Sequence, residues 1–191
     1  MRLMPRSACL LGLLALAAAL LAGCATTPAP EQKDARLHLR LAPAELGRSL
    51  SLQQHLTVER EGRTDQLDTA LEIDADHLDL VGLAFGQRVM SLHYDGHELK
   101  VWRHFMLPRQ VQGDDVLQDV QLTLWPAAAI RQALPAGWEL RESDGQRTLL
   151  LDGETIAVID YPDHKAWGGT VILNNLRYRY RLTIQSVVTS E

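Results

Sequence analysis

The stretch LRYRYRLTI at residues 176–184 decides the fold class, because apolar and polar side chains alternate through it with a period of two. Leucine, tyrosine and isoleucine occupy the even-numbered positions, and arginine and threonine occupy the odd-numbered ones. An antiparallel strand with one face on a core and the other in water shows this pattern, whereas a helix would distribute the apolar residues around its axis. We therefore predict a strand over 176–187.

Turn residues divide the preceding sequence into further short segments of the same kind. Four dipeptides that pair glycine with a residue tolerant of positive φ lie between apolar segments and predict hairpin turns: Glu61-Gly62, Asp95-Gly96, Asp144-Gly145 and Asp152-Gly153. The alternation between these turns predicts strands near 37–41, 51–60, 64–74, 77–83, 87–94, 98–106, 137–143, 147–151, 154–161, 169–174 and 176–187.

One segment is expected to be helical rather than extended. Pro126 suits a first helical turn, three alanines follow it, and Pro135 would end the helix. These residues predict a short helix over 126–134. The stretch 114–124 fits a helix in its first half and a strand in its second half.

The number of strands predicts the shape of the sheet. About eleven short antiparallel strands are too many for a flat open sheet, because strand twist accumulates and the sheet curls. We predict a mainly β fold: an incomplete, strongly curved antiparallel β-barrel with one or two short helices capping the concave face. That apolar face must be filled by side chains, by a helix or by a ligand.

The first 23 residues are expected to be a signal peptide. Arg2 and Arg6 give a short positive region, and the apolar run 8–22 is shorter than the roughly 20 residues of a permanent membrane span. The run ends in the sequence LAGC, residues 21–24, which resembles the lipobox of bacterial lipoproteins. The resemblance implies that Cys24 becomes the N-terminus and carries acyl chains such as palmitate. The alternative is an ordinary secretory signal with an incidental cysteine.

These features predict the organisation of the chain. We expect a signal peptide over 1–23, a lipidated N-terminus with a flexible tether over 24–36, and a single β-rich periplasmic domain over 37–191. In Gram-negative lipoproteins, an aspartate directly after the cysteine favours the inner membrane. Because Ala25 stands there, the resemblance implies the outer membrane, facing the periplasm.

Net charge bears on the expected partners. Loss of Arg2 and Arg6 with the signal peptide would take the formal charge from −5 to −7. Such a chain lacks the basic footprint that phosphate backbones require, so no nucleic-acid partner is expected. The expected partner is the membrane, reached through the lipid on Cys24.

Over the whole mature domain, the length and element order resemble the DUF3261 family of bacterial lipoproteins. More distantly, the layout is similar to that of the lipoprotein-localisation proteins LolA and LolB, which combine an incomplete barrel with helices on its concave side. The resemblance implies an outer-membrane lipoprotein that binds a hydrophobic chain or a lipidated client in the cavity of its curved sheet. It would then assist delivery of that cargo to the outer membrane.

One local string extends this resemblance. The sequence VGLAFG at residues 81–86 is similar to the protruding leucine loop of the receptor LolB, with Phe85 in the place of the leucine. Leu83 and Phe85 are therefore candidates for a membrane-facing or ligand-handover loop. The alternative is that both side chains pack in the core, as apolar residues mostly do.

The large aromatic residues are candidates for the lining of a cavity. Trp102, Phe105 and Trp125 could contact an acyl chain there, or they could simply build the core. No cofactor or metal is expected, since His93 and His97 flank a hairpin turn without a third committed ligand.

No catalytic residue is expected either, because no nucleophile accompanies the polar cluster around Asp163. We predict a protein that is not an enzyme. A scaffold lipoprotein that positions partner proteins at the membrane is the alternative function, and an enzyme on lipid-like substrates is a third.

Overall fold

The computed structural model of the protein describes residues 36–190. The predicted signal peptide, Cys24 and the tether as far as residue 35 lie outside the described residues. Within 36–190, no helix combines the length and the apolar character that a membrane crossing would require.

The described residues form an open antiparallel sheet of ten strands. The strands are β1 (Leu50–Arg60), β2 (Arg63–Ile73), β3 (Leu78–Ala84), β4 (Gln87–Tyr94), β5 (Leu99–Arg103), β6 (Trp138–Ser143), β7 (Gln146–Leu151), β8 (Glu154–Asp160), β9 (Gly169–Asn175) and β10 (Tyr180–Ser190). Their spatial order is β5-β4-β3-β2-β1-β10-β9-β8-β7-β6. The sheet therefore consists of two meanders that are joined at its centre by the pairing of β1 with β10.

Two helices connect the meanders. Helix α1 (Gly113–Leu124) and helix α2 (Ala127–Ala133) lie between β5 and β6 in the chain. Helix α1 begins against β5, where a Cβ at Gly113 would overlap the side chain of Val101. The two helices are separated at Trp125, which is extended because the following residue, Pro126, disfavours the helical conformation. A single turn of 3-10 helix, Pro43–Leu46, precedes β1.

The predicted fold class is confirmed: the protein is mainly β, with a curved, open antiparallel sheet and two helices. The helix predicted over 126–134 is present as α2. The ambiguous stretch 114–124 is helical throughout. The described residues form ten strands rather than about eleven.

The strand predicted over 37–41 does not form. Leu37, Leu39 and Leu41 are buried and alternate with exposed residues, so the period of two is real. The backbone of this segment hydrogen-bonds to a glutamine side chain instead of to a neighbouring strand. The Leu41 N–H donates to Gln121 Oε1 over 3.2 Å, and Gln121 Nε2 donates to the Leu41 carbonyl over 2.9 Å. An extended segment that packs along a helix has the same sequence pattern as a strand.

The strand predicted over 176–187 begins later than expected. Residues 176–179 form the turn between β9 and β10, and Arg179 has a φ of 56° there. Leu176 is 55% exposed instead of lying on the apolar face. The alternation describes the strand only from Tyr180 onward.

The side of the sheet that faces the helices carries the core, and we call it the inner face. A row of leucines crosses it in register, with Leu52 opposite Leu71, Leu71 opposite Leu80 and Leu80 opposite Leu92. Each is at most 5% exposed. Leu117, Leu122 and Ile130 of the helices pack against this cluster. The opposite side, which we call the outer face, is mainly polar.

Candidate functional site

The turns of the sheet lie at two ends that differ in how they are covered. The turns at residues 61–62, 85–86 and 176–179 lie at one end, which we call the hairpin end. Arg60 pairs with Arg63 on one side and with Tyr180 on the other, so two of these turns are adjacent. We call the opposite end of the strands the closed end.

Side chains from three parts of the chain fix the C-terminus of α1 at the closed end. Arg147 on β7 donates to the carbonyls of Leu122 and Trp125, both over 2.9 Å. Tyr161 Oη donates to the Thr123 carbonyl over 2.9 Å, and Trp167 Nε1 donates to the Leu124 carbonyl over 3.3 Å. The last four carbonyls of a helix lack partners within the helix. In α1, each of these four carbonyls accepts a hydrogen bond from one of the three side chains named above.

Burial at the closed end keeps the Tyr161 hydroxyl neutral, and the buried Arg147 is paired with a carboxylate. Burial raises the pKa of Tyr161 to about 12, although the Arg147 guanidinium opposes the shift. Arg147 is 6% exposed, and its Nε donates to Glu142 Oε1 over 2.8 Å. Trp125 is fully buried and donates from Nε1 to the Ala42 carbonyl over 3.2 Å. The closed end is therefore packed core.

The hairpin end leaves apolar side chains of the inner face partly exposed. Strands β1, β2 and β10 carry four of them, which we call the apolar trough: Leu56, Val58, Leu67 and Leu182. Leu56 lies opposite Leu67, and Val58 lies opposite Leu182, so the four are cross-strand neighbours. Nearer the closed end, Leu50 and Leu52 on the same strand are at most 2% exposed.

A polar cluster borders the apolar trough. Tyr180 Oη donates to Asp119 Oδ2 of α1 over 2.5 Å, and Asn175 Nδ2 donates to Tyr180 Oη over 3.3 Å. Burial raises the pKa of Asp119 to about 7, and the nearby Asp115 adds to the shift while the hydrogen bond from Tyr180 opposes it. Burial and the Asp119 carboxylate raise the pKa of Tyr180 above its usual range. Among residues 36–190, Asp119 has no ion pair with a cation.

The loop that resembles the LolB leucine loop is exposed. Phe85 is 101% exposed at the tip of the β3–β4 hairpin, and Leu83 is 38% exposed. Phe85 and Gly86 have φ values of 51° and 73° and form a tight turn, although phenylalanine rarely adopts a positive φ. The alternative, in which both side chains pack in the core, is therefore wrong.

The other candidate residues lie in three different environments. Trp102 is 43% exposed on the outer face of β5, and Phe105 is 89% exposed in the loop after that strand. Neither side chain lines the concave side. Trp125 lies on that side but is part of the packed core. Cys24 lies outside the described residues.

The histidines make different contacts from those expected. His93 Nδ1 lies 2.8 Å from Asp79 Oδ1, and its ring centroid lies 5.8 Å from that of His77. His77 in turn contacts Asp74 and Asp79 at 3.0 and 3.3 Å. This row lies at the edge of the outer face. The contact of His93 with Asp79 was not predicted from the sequence, because it joins two neighbouring strands, β4 and β3. In the described part of the chain, no group of three or more such side chains is arranged to hold a metal ion.

Comparison with known proteins gives one family and several similar structures. The chain is similar to the solved structure of a LolA superfamily protein from Nitrosomonas europaea, with 8% identity over 73% of this chain and 84% of that one and a TM-score of 0.40. It is also similar to the MucA/MucB complex of Pseudomonas aeruginosa, with 17% identity over 77% of this chain and 54% of that one and a TM-score of 0.41. No curated protein matches the sequence significantly. The model of the family described as "Protein of unknown function (DUF3261)" matches residues 51–188, and the chain therefore belongs to the DUF3261 family.

Proposed function

We propose that the protein is an outer-membrane lipoprotein that binds a hydrophobic chain or a lipidated client and assists its delivery to the outer membrane. The observation that carries the proposal is the apolar trough at the hairpin end, beside the exposed loop of Phe85. The closed end is filled by core side chains, so the cargo would bind at the hairpin end. The proposal involves binding and transfer without a chemical step.

The size of the trough indicates how strongly cargo would bind. Complete burial of a leucine or valine side chain contributes about 1.5–3 kcal/mol, and the four trough residues are already largely covered. Covering their remaining surface would contribute on the order of 2 kcal/mol in total. This corresponds to weak binding. Weak and reversible binding suits a protein that passes its cargo on, whereas tight storage would require α1 to move and expose more of the inner face.

The Phe85 loop supports the delivery step. A fully exposed phenylalanine at a hairpin tip contributes nothing to the core, and the loop belongs to the end of the sheet that also holds the trough. Aromatic side chains bury well at the boundary between headgroups and acyl chains. Phe85 and Leu83 would therefore contact the membrane while cargo leaves the trough.

A lipid anchor on Cys24 would keep the domain near the membrane. The 12 residues 25–36 would reach roughly 40 Å if fully extended. The test is metabolic labelling with a palmitate analogue. Wild type should carry the label and sediment with outer membranes, while Cys24→Ser should lose both properties. Labelled Cys24→Ser would contradict the anchor.

Native mass spectrometry with lipid extraction tests the binding function. The full chain purified in detergent from its own host should carry a substoichiometric acyl-type species. Leu67→Asn, which places an amide in the trough, should lose most of it. Val187→Asn is the matched control, because Val187 is 66% exposed on the outer face of β10. If wild type is empty and also binds no hydrophobic fluorescent probe, the proposal fails.

The packed core favours one alternative. Leu117, Leu122 and Ile130 are at most 1% exposed, so the helices already occupy the space that a ligand would fill in an open barrel. This arrangement suits a scaffold lipoprotein that positions partner proteins at the membrane. An empty wild-type protein that co-purifies with stoichiometric partners would support the scaffold.

A further inference from the structure

Two adjacent turns at the hairpin end concentrate positive charge in a protein whose formal net charge is −5. The β1–β2 and β9–β10 turns and the strand residues beside them carry five arginines, which we call the arginine tip: Arg60, Arg63, Arg177, Arg179 and Arg181. The register of β1 against β10 places the two groups next to each other, with Glu59 opposite Arg181 and Arg60 opposite Tyr180. The clustering therefore arises from the fold and not only from the sequence.

The arginine tip surrounds a shallow concavity of about 580 Å³. Its wall contains Arg60, Arg63, Arg179 and Arg181, together with Glu59, Glu61 and the polar groups of Asn175 and Tyr180. Arg181 forms an ion pair with Glu59 at 3.7 Å. Arg60, Arg63 and Arg179 form no ion pair with any carboxylate among residues 36–190. The concavity thus has more cations than the neighbouring carboxylates neutralise.

An exposed apolar side chain lies at the same place. Leu176 is part of the wall of the concavity and is 55% exposed. A ligand bound here would contact the guanidinium groups and also the side chain of this leucine. This combination fits an amphipathic molecule with an anionic head.

We propose that the arginine tip binds the phosphate-bearing headgroup of an anionic membrane lipid, through Arg60, Arg63 and Arg179. Guanidinium groups donate in pairs to phosphate oxygens, and their planar shape makes them better suited to this than lysine. A membrane is the source we favour over an acidic protein, because the wall of the concavity includes an exposed leucine as well as arginines. The inference deepens the proposed function and depends on it only for the nearness of a membrane.

Titration with short-chain soluble lipids tests the proposal. The full chain, purified in a neutral detergent, is titrated with dihexanoyl phosphatidic acid, and binding is followed by the NMR signals of the arginine Nε–H groups. Dihexanoyl phosphatidylcholine and inorganic phosphate form the comparison arms. We expect saturable shifts at Arg60, Arg63 and Arg179 with phosphatidic acid and at least tenfold weaker binding in both other arms. Equal binding of inorganic phosphate would overturn the lipid assignment in favour of a free-phosphate site.

Paired variants make the test specific. A surface arginine or lysine contributes about fivefold to binding of an anionic surface, so Arg63→Gln with Arg179→Gln should weaken phosphatidic acid binding by about 25-fold. Lys100→Gln with Lys165→Gln changes the charge equally at residues outside the tip and should leave binding within about twofold. Equal losses of phosphatidic acid binding in both pairs of variants would show that binding depends on net charge alone, and this would contradict the site. Absence of binding to wild type, or shifts produced only by an acidic peptide, would also overturn it.

Failure of this inference is separable from failure of the proposed function. The headgroup experiment uses lipids whose short chains scarcely require the trough, whereas the cargo experiment depends on the trough. Headgroup binding without any retained acyl species would leave the arginine tip as a membrane contact of a scaffold lipoprotein. Retained acyl species without headgroup binding would refute the arginine site alone.

Discussion

The hydroxyl of Tyr180 on β10 donates a 2.5 Å hydrogen bond to Asp119 Oδ2 on α1. It joins the helix to the central strand pair of the sheet, beside the apolar trough. Within 36–190 no cation pairs with Asp119, so this hydroxyl is its main source of stabilisation, and burial raises the pKa of the carboxyl to about 7. The contact between the helix and the sheet is therefore sensitive to protonation.

Replacement of Asp119 by asparagine should change how stability depends on pH. Because the pKa of Asp119 is about 7 in the folded state and about 4 in an unfolded chain, the folded state binds the proton more tightly. This tighter proton binding stabilises the folded state fully below pH 4, and the stabilisation is lost as the pH rises through 7. Urea unfolding of wild type and Asp119→Asn should therefore diverge over this range, with the variant gaining on the order of 2 kcal/mol relative to wild type.

Asp144→Asn is the control for this comparison, because Asp144 is exposed in a turn with a φ of 46° that asparagine tolerates. Its free energy of unfolding should differ from that of wild type by a nearly constant amount between pH 4 and 8. A constant difference for Asp119→Asn as well would show that Asp119 titrates normally.

Removal of the Arg147 guanidinium should destabilise the closed end. Arg147→Met keeps an unbranched apolar chain but leaves the Leu122 and Trp125 carbonyls without their donor. Buried acceptors left in this way cost about 1–3 kcal/mol each, so the loss of both partners should lower the free energy of unfolding by about 2–6 kcal/mol. Arg141→Met removes a guanidinium on the neighbouring strand that pairs with exposed Glu139, and the variant should stay within about 0.5 kcal/mol of wild type. Equal effects of the two substitutions would refute the role of Arg147.

Replacement of Phe85 by asparagine should stabilise the protein. A non-glycine residue with a φ of 51° is strained, asparagine tolerates that conformation better than phenylalanine, and Phe85 has no buried surface to lose. Thermal or urea unfolding of Phe85→Asn should show a gain of about 0.5–1 kcal/mol. Phe105→Asn, which also replaces an exposed phenylalanine but not at positive φ, should show no gain. A loss of stability in Phe85→Asn would mean that the loop packs against the protein.

Replacement of Gln121 should release the extended segment at residues 37–42. Gln121→Leu preserves the size of the side chain but leaves the N–H and the carbonyl of Leu41 unpaired in the core. We expect a loss of about 2–3 kcal/mol and much faster amide exchange at Leu41. Gln118→Leu, on the same helix and also buried, should leave the Leu41 amide protected. An unchanged exchange rate in Gln121→Leu would show that Leu37 and Leu39 hold the segment without the glutamine.

Local patterns in the sequence were sufficient to predict the sheet. The alternation from Tyr180 to Ile184 and three of the four predicted turn dipeptides correspond to paired strands with tight turns, because period and turn chemistry depend on neighbouring residues. The fourth turn, at Asp95, is wider: its carboxylate accepts from the N–H groups of His97 and Glu98. The strands on both sides of the Phe85 turn were predicted, but the dipeptide Phe85-Gly86 was not among the predicted turns, because phenylalanine is rare at positive φ.

Contacts between distant parts of the chain could not be predicted. Leu37 to Leu41 alternate as a strand does, and only the position of Gln121, 80 residues away, shows that this segment packs along a helix instead. Likewise, no local pattern distinguishes Trp102 on the outer face from Trp125 in the core. The candidate cargo site was predicted only as a concave face, since which part α1 leaves uncovered depends on the packing of that helix.

The four bonded carbonyls at the C-terminus of α1 determine how the molecule could open. At that end the helix is attached to β7, to the end of β8 and to the loop before β9, whereas its N-terminal turn is held by close packing against Val101 and an ion pair between Arg40 and Asp114. We therefore expect helix α1 to pivot about its C-terminus, with its N-terminal turn near β5 moving furthest. The motion would break the Tyr180–Asp119 hydrogen bond and the Arg40–Asp114 ion pair, and it would widen the hairpin end while the closed end keeps its packing.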